Sequence, residues 1–357
     1  MEPKDRIWQV SPAAARTPAL ALALLVFLLL LGEVGARSAL VRSRLAAPSI
    51  GSRSRFFDLQ LSRLDRMAKD DGGVDCIFLG NSLVLFGMDP DSFSAAYEAR
   101  GGSRLRAYNF SIPGLLASDN AALARILTED YRPSLIIYGM TPRDFSDRSN
   151  RFAFESIPWV RYRMGFASVD GWLVEHSRAF RYLLLSENKL PAAAERAMRG
   201  FDSRAPRGFF PFEPATTNVE GAAFVNAMKL VSAELKHSMA PAQVSALGAL
   251  LKVRDGGTQL VLLEMPMRLD PSEWSADLSA GYRKMWGEFR SVLQASGATV
   301  WSPPPQGIVP ADGWLDAWHM NARGASPFSR WLGERLAAAV AAGELARPDP
   351  VRTRPQP

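Results

Sequence analysis

The chain has 357 residues, 47% of them hydrophobic and 22% charged, which is ample apolar material for a packed core and excludes a globally disordered polymer. A single cysteine, Cys76, and three histidines exclude an internal disulfide framework and a Cys/His zinc cluster. The net charge of +6 sits at the ends: residues 1–55 contribute +5 and residues 345–357 contribute +2, leaving about −1 on residues 56–344, so nothing in the core favours nucleic acid as a partner.

Ala19 to Leu31 is an unbroken apolar run, preceded by Lys4, Arg6 and Arg16. Its 13 residues suit the core of an export signal, with Val34-Gly35-Ala36 as a small-residue cleavage site. Extending the helix from Thr17 to Ala36 reaches the roughly 20 residues of a membrane span and takes in one acid, Glu33. Residues 1–36 are thus expected to be either a cleaved signal or a single-pass membrane anchor. The domain would then be exported, or held outside the cytoplasm at the cell membrane. A core helix of a cytosolic domain is the plain alternative. Arg37, Arg42, Arg44, Arg53 and Arg55 outnumber the basic residues before the run, against a simple N-inside placement.

Residues 37–55, rich in Arg, Ser, Ala and Gly, read as a polar linker. A folded domain is expected over residues 56–345. It opens with a helix carrying Phe57, Leu61, Leu64 and Met67 on one face. Short apolar runs then alternate with amphipathic stretches. The runs are Val74–Leu79, Arg106–Phe110, Ser134–Tyr138, Gln259–Leu263 and Ala298–Trp301. Helices are expected over Asp91–Arg100, Asp119–Asp130 and Ser272–Ala295, and a last one with Ser326 as N-cap, Pro327 in its first position and Gly343 just past its end. Strands alternating with helices imply an α/β fold, a mostly parallel sheet covered on both faces.

Residues 146–257 interrupt that rhythm and are too long for a plain crossover, which suggests a helical insertion over one edge of the sheet. Its aromatics (Phe152, Phe154, Trp159, Tyr162, Phe166) read first as packing against the core and second as a substrate platform. His176 and His237 lie within it and read as surface or core residues. The tail over residues 346–357, with four prolines, reads as disordered.

In a parallel sheet, chemistry gathers at the carboxyl ends of the strands. The first run ends in Gly80-Asn81-Ser82, where glycine allows a sharp turn and Ser82 opens a helix; a serine there is often a plain helix cap. Far along the chain, Asp316-Ala317-Trp318-His319 returns to the same edge of the sheet. A carboxylate three residues before a histidine can accept one ring N–H and leave the other nitrogen to take a proton from a serine hydroxyl.

Together these blocks resemble the SGNH (GDSL-like) hydrolase superfamily. Ile77-Phe78-Leu79-Gly80-Asn81-Ser82 with Gly87 resembles its nucleophile block, Tyr108 to Gly114 the segment whose glycine supplies an oxyanion N–H, and Asp316 to His319 its Asp-x-x-His block. The resemblance spans residues 74–145 and 258–340. It implies a three-layer α/β/α fold, with five parallel strands in the flavodoxin-like order 2-1-3-4-5. It also implies a serine esterase or O-acyltransferase, with Ser82 as nucleophile, His319 as base and then acid, and Asp316 as the orienting carboxylate. The oxyanion hole would use Ser82 and Gly114, helped by Thr141, and no metal or organic cofactor is needed.

Two places depart from the family's pattern. Asn81 stands where Asp usually precedes the serine, and Gly139-Met140-Thr141-Pro142 stands where Gly-x-Asn-Asp is usual. Asn81 and Arg143 are carried as substrate-binding candidates, Arg143 also as a stand-in oxyanion donor. The N-terminal apolar segment, Met265-Pro266 and the insertion look most like envelope members of the superfamily. Those work beside membrane acyltransferases in alginate acetylation and teichoic-acid D-alanylation. That likeness implies an acylated carbohydrate or other small acyl ester as substrate and a membrane acyltransferase as partner. A non-catalytic component of an envelope polysaccharide machine is the alternative.

Overall fold

The computed structural model describes residues 12–45, 48–147, 154–184, 207–211, 239–268, 276–304, 307–316 and 318–348. Five short strands form the sheet: β1 (Cys76–Gly80), β2 (Ala107–Asn109), β3 (Leu135–Met140), β4 (Gln259–Glu264) and β5 (Thr299–Trp301). All pairings are parallel and the order is β2-β1-β3-β4-β5, as expected. β1 and β3 are buried at every position, which is why both read as continuous apolar runs rather than as an alternation.

Successive side chains nevertheless point to opposite faces, so the sheet divides two cores. Ile77, Leu79, Ile136, Tyr138, Leu260 and Leu262 pack with Phe57, Leu61, Leu123 and Phe289. Those partners come from the helices α3 (Arg55–Asp70), α6 (Ala117–Tyr131) and α11 (Ala276–Ala295). Cys76, Phe78, Leu135, Ile137, Val261 and Leu263 face the other way, onto Phe93 of α5 (Pro90–Ala99) and onto Phe328, Leu332 and Leu336 of α12 (Ala322–Ala341).

α12 begins earlier than the sequence suggested. Asn321 is its cap, its side-chain oxygen accepting from the amides of Arg323 and Gly324, and Pro327 lies inside the helix. A side chain that satisfies two of the orphan first-turn donors outweighs the Ser-Pro signal further on.

The chain before α3 is more engaged than a linker. Ser49, Ile50 and Ser52 are buried, and Asp58 of α3 accepts from the Ile50 amide at 3.1 Å and the Ser52 hydroxyl at 2.8 Å. Upstream lie α1 (Pro12–Arg37) and α2 (Ala39–Arg44). Thr17–Arg37 is long and apolar enough to cross a membrane. Leu20 through Leu31 lie with their large side chains exposed, so this is not a core helix of the domain.

The long excursion leaves the sheet at Ser146 and returns at Met239, where an antiparallel bridge joins exit to re-entry. Its described α-helices are α7 (Pro158–Arg163), α8 (Val169–His176) and α9 (Arg178–Leu183), and α10 (Pro241–Leu251) follows the bridge on the way to β4. Phe154 and Trp159 are buried, as the packing reading expects, whereas Phe166 is exposed. Phe152, His237 and residues 349–357 lie outside the described residues.

One glycine governs the turn out of β1. Gly80 has φ +150°, and a Cβ there would lie 2.4 Å from Val84 Cγ2 and 2.6 Å from the Gly139 carbonyl oxygen. Gly80→Ala is therefore expected to lower the unfolding free energy by about 2–4 kcal/mol, strain and overpacking together. Urea unfolding in detergent measures it, and an unchanged midpoint would mean that the turn relaxes freely.

Candidate active site

The strand order reverses at β1, between β2 and β3, and the carboxyl end of β1 is where a parallel sheet opens a crevice. Ser82 stands there, as first residue of the short helix α4 (Ser82–Gly87), where a first-turn N–H has no carbonyl partner within the helix. Asn81 caps that helix: its side-chain oxygen accepts from the Leu83 amide at 2.9 Å.

His319 arrives from the loop between β5 and α12. Its Nε2 lies 2.9 Å from Ser82 Oγ, and its Nδ1 lies 2.8 Å from Asp316 Oδ2. The other carboxylate oxygen accepts from the amides of Trp318 and His319, both at 2.7 Å. With Nδ1–H donating to Asp316, Nε2 is left as the acceptor facing the serine hydroxyl. Burial pushes the Asp316 carboxyl up, but the His319 ring, its charge and the two amides outweigh that and hold it below the usual carboxylate range. The loop itself is clamped. The Asn321 side chain donates to the carbonyls of Asp312 and Trp314, and Trp314 bridges Met320.

The other candidates fall into two groups. The segment after β2 runs along the end of β1, where the Ile112 amide donates to the Gly80 carbonyl at 3.1 Å. Gly114 follows with φ +86°, exposed, and with open space where a Cβ would be, so its backbone is accessible to a ligand. Thr141 is turned away from such a role. Its amide donates to Asp144 Oδ2 at 2.8 Å and its hydroxyl faces the same oxygen at 3.5 Å. Asn81 is likewise occupied by the fold rather than held ready for substrate: it is buried, and its Nδ2 donates to Asp144 Oδ1 at 2.6 Å. Arg143 is half-buried in the 3-10 turn Pro142–Phe145, where its carbonyl accepts from Ser146.

Three contributors escaped the sequence reading. Asp144 is buried and ties the turn after β3 to the residue before Ser82. Phe86 packs its ring against His319 edge-to-face, 5.2 Å between centroids, and meets Phe210 at 5.8 Å. Phe210 comes from the long excursion, whose residues 207–211 lie beside β2, with the Phe210 amide donating to the Leu85 carbonyl. The sequence there, Phe209-Phe210-Pro211-Phe212, is conspicuously aromatic, but nothing in it specifies which strand it meets.

No family model matches the sequence, and no curated protein matches it significantly. Among solved structures, similar chains include TesA (15% identity, 74% of this chain and 99% of that one, TM-score 0.33). Another is a lipase/acylhydrolase from Enterococcus faecalis (13%, 77% and 98%, TM-score 0.34). A third is LAE5, an alpha/beta hydrolase from the metagenome of Lake Arreo, Spain (14%, 76% and 96%, TM-score 0.32). Likeness at that level leaves the chemistry of this chain to be read from its own atoms.

Proposed function

We propose that the chain is a serine esterase or O-acyltransferase of the SGNH type, acting on short acyl esters of a cell-envelope carbohydrate. The observation that carries the reading is the bonded series Ser82 Oγ, His319 Nε2, His319 Nδ1 and Asp316, with links of 2.9 and 2.8 Å, at the carboxyl end of the sheet. Ser82 Oγ attacks the acyl carbonyl while His319 Nε2 takes its proton. The imidazolium, held by Asp316, then gives that proton to the departing alcohol, leaving an acyl group on Ser82. Water, or a sugar hydroxyl in the transferase case, repeats the sequence in reverse with His319 again as base. The amides of Ser82 and Gly114 would hold the developing oxyanion. The envelope setting rests on the apolar N-terminal helix and on the likeness of the sequence to alginate-acetylation and teichoic-acid D-alanylation proteins, which also suggests a membrane acyltransferase as partner.

The orientation of Thr141 favours one second reading. With that side chain turned to Asp144, the site has one fewer oxyanion donor than the family's usual pattern, as a non-catalytic component of a polysaccharide machine would tolerate. A fluorophosphonate probe separates the two. The expected result is a single adduct on Ser82, mapped by mass spectrometry and absent from Ser82→Ala. No adduct on protein shown to be folded would favour the non-catalytic component. Acyl donors offered with and without glycan acceptors then divide hydrolysis from transfer.

A further inference from the structure

The apolar helix α1 is exposed along most of its length but bound firmly at one end. Glu33 accepts from the Ser177 hydroxyl at 2.9 Å and from the amides of Arg178 and Ala179 at 2.9 and 3.0 Å. It thereby caps α9 from 144 residues away in the chain. Arg37 pairs with Glu33 at 2.6 Å and donates to the His176 carbonyl at 3.0 Å, and Ala36 is buried between them in sequence. Cleavage after Ala36 would take away the carboxylate that satisfies those amides, so this end of the helix is built as part of the domain.

The remainder of α1 has no partner among the described residues that would hide it: Leu20, Phe27 and Leu29 are 71%, 58% and 63% exposed. Thr17–Arg37 has 21 residues, about 31 Å of helix at 1.5 Å each, which matches a hydrocarbon layer of about 30 Å. Further apolar side chains lie exposed next to where that helix enters the domain. Val169 and Trp172 share a face of α8 with His176, at i, i+3 and i+7, and are 78% and 50% exposed. The Trp172 ring stacks on His176, the residue whose carbonyl Arg37 holds. On the other side of Arg37, α2 exposes Leu40, and Leu45 follows it; Arg37 and Arg44 are exposed cations at the same junction.

We infer that α1 is a retained anchor gripped by the insertion through Glu33, and that the Val169–Trp172 face of α8 lies in the interfacial layer of the same bilayer. The occupant of this surface is lipid. The face continues an apolar helix of membrane length, its exposed indole is the side chain favoured at headgroup depth, and the adjoining arginines suit anionic headgroups. The helix would then act as a rigid post that sets the height of the domain above the membrane. The inference stands apart from the ester chemistry, and neither falls with the other.

The test uses the full chain in nanodiscs of zwitterionic and anionic phospholipid. Trp172→Cys and Val169→Cys, each carrying a thiol-linked fluorophore, are exposed to phospholipid with a nitroxide near the headgroup; buried Cys76 makes the unsubstituted chain the blank. Quenching is expected to exceed several-fold that of Glu98→Cys, at an exposed position of α5, and equal quenching at all three sites would overturn the lipid contact. Intact mass of the membrane-extracted protein is expected to include α1, and a chain lacking residues 1–36 would overturn retention. Trypsin cleavage after Arg37 is expected to be about fivefold faster in Glu33→Ala, the factor that matches the loss of one helix cap, with Glu33→Gln in between. An unchanged rate in both would show that Glu33 does not hold the anchor.

Discussion

His319→Ala is expected to lower kcat on a short acyl ester by about 10⁶-fold, with Ser82→Ala falling to the same floor and the double variant no lower. The non-additivity is the informative part. Ser82 Oγ and His319 Nε2 are 2.9 Å apart, and in the proposed relay neither acts without the other. If the two losses multiplied instead, the groups would be acting separately and the proton relay would be wrong. Asp316→Asn is expected to cost less, about 10⁴-fold, because an amide that turns its NH₂ towards Nδ1 favours the tautomer with the proton on Nε2, where the serine needs an acceptor. The backbone amides of Trp318 and His319 bind the other Asp316 oxygen, so this variant should keep the loop and lose only the tautomer.

The direction of the Asp316 shift adds a pH dependence. A carboxyl held below its ordinary value keeps its bonds to His319 at and above the ordinary carboxylate range, and loses them only as pH falls through the lowered value. The acid limb of kcat/KM is therefore expected not to be set by Asp316. A limb that disappeared specifically in Asp316→Asn, leaving activity flat into acid, would contradict that.

The strands were legible because burial on both faces of a parallel sheet writes itself as unbroken apolar runs, and Cys76–Gly80 and Leu135–Met140 are buried at every residue. The Asp316–His319 pairing was legible for a different reason: it is closed within a four-residue turn, so spacing alone specifies it. What stayed hidden depends on partners distant in sequence. Asn321 and Ser326 are both good caps, and only the packing of the preceding loop, through the carbonyls of Asp312 and Trp314, selects the first. Phe210 reaches the site from an excursion whose path no local pattern describes. Glu33 reads as a blemish at the end of an apolar run, and its use as a cap depends on a helix that begins at residue 178.

Asp144 is the clearest case, and its variants are expected to have the second-largest effect. Each of its carboxylate oxygens accepts from a buried N–H: Asn81 Nδ2 at 2.6 Å on one, the Thr141 amide at 2.8 Å on the other. Asp144→Ala strands both donors away from water and is expected to destabilise the fold by about 2–5 kcal/mol. Asp144→Asn is nearly isosteric, yet an amide offers one oxygen and one NH₂, so one donor must face another. A loss of about 1–3 kcal/mol is expected. Because Asn81 immediately precedes Ser82, kcat should also fall by about 10–100-fold with KM little changed, as a displaced nucleophile predicts.

The same geometry accounts for the departure at residue 81. Asp in place of Asn81 would set a second carboxylate against Asp144 at 2.6 Å, and one of the two would have to take a proton or move away. Asn81→Asp, which restores the residue usual in the superfamily the sequence resembles, is therefore expected to be less stable and slower than the parent. Stability should improve as pH falls and the pair takes up a proton, since the folded pair's raised affinity opposes ionisation. Urea midpoints of the parent, Asp144→Asn and Asn81→Asp at neutral and mildly acid pH measure this directly. Unfolding free energies within about 0.5 kcal/mol of the parent throughout, with kcat unchanged, would mean that the Asn81–Asp144 bond neither supports the fold nor aims Ser82.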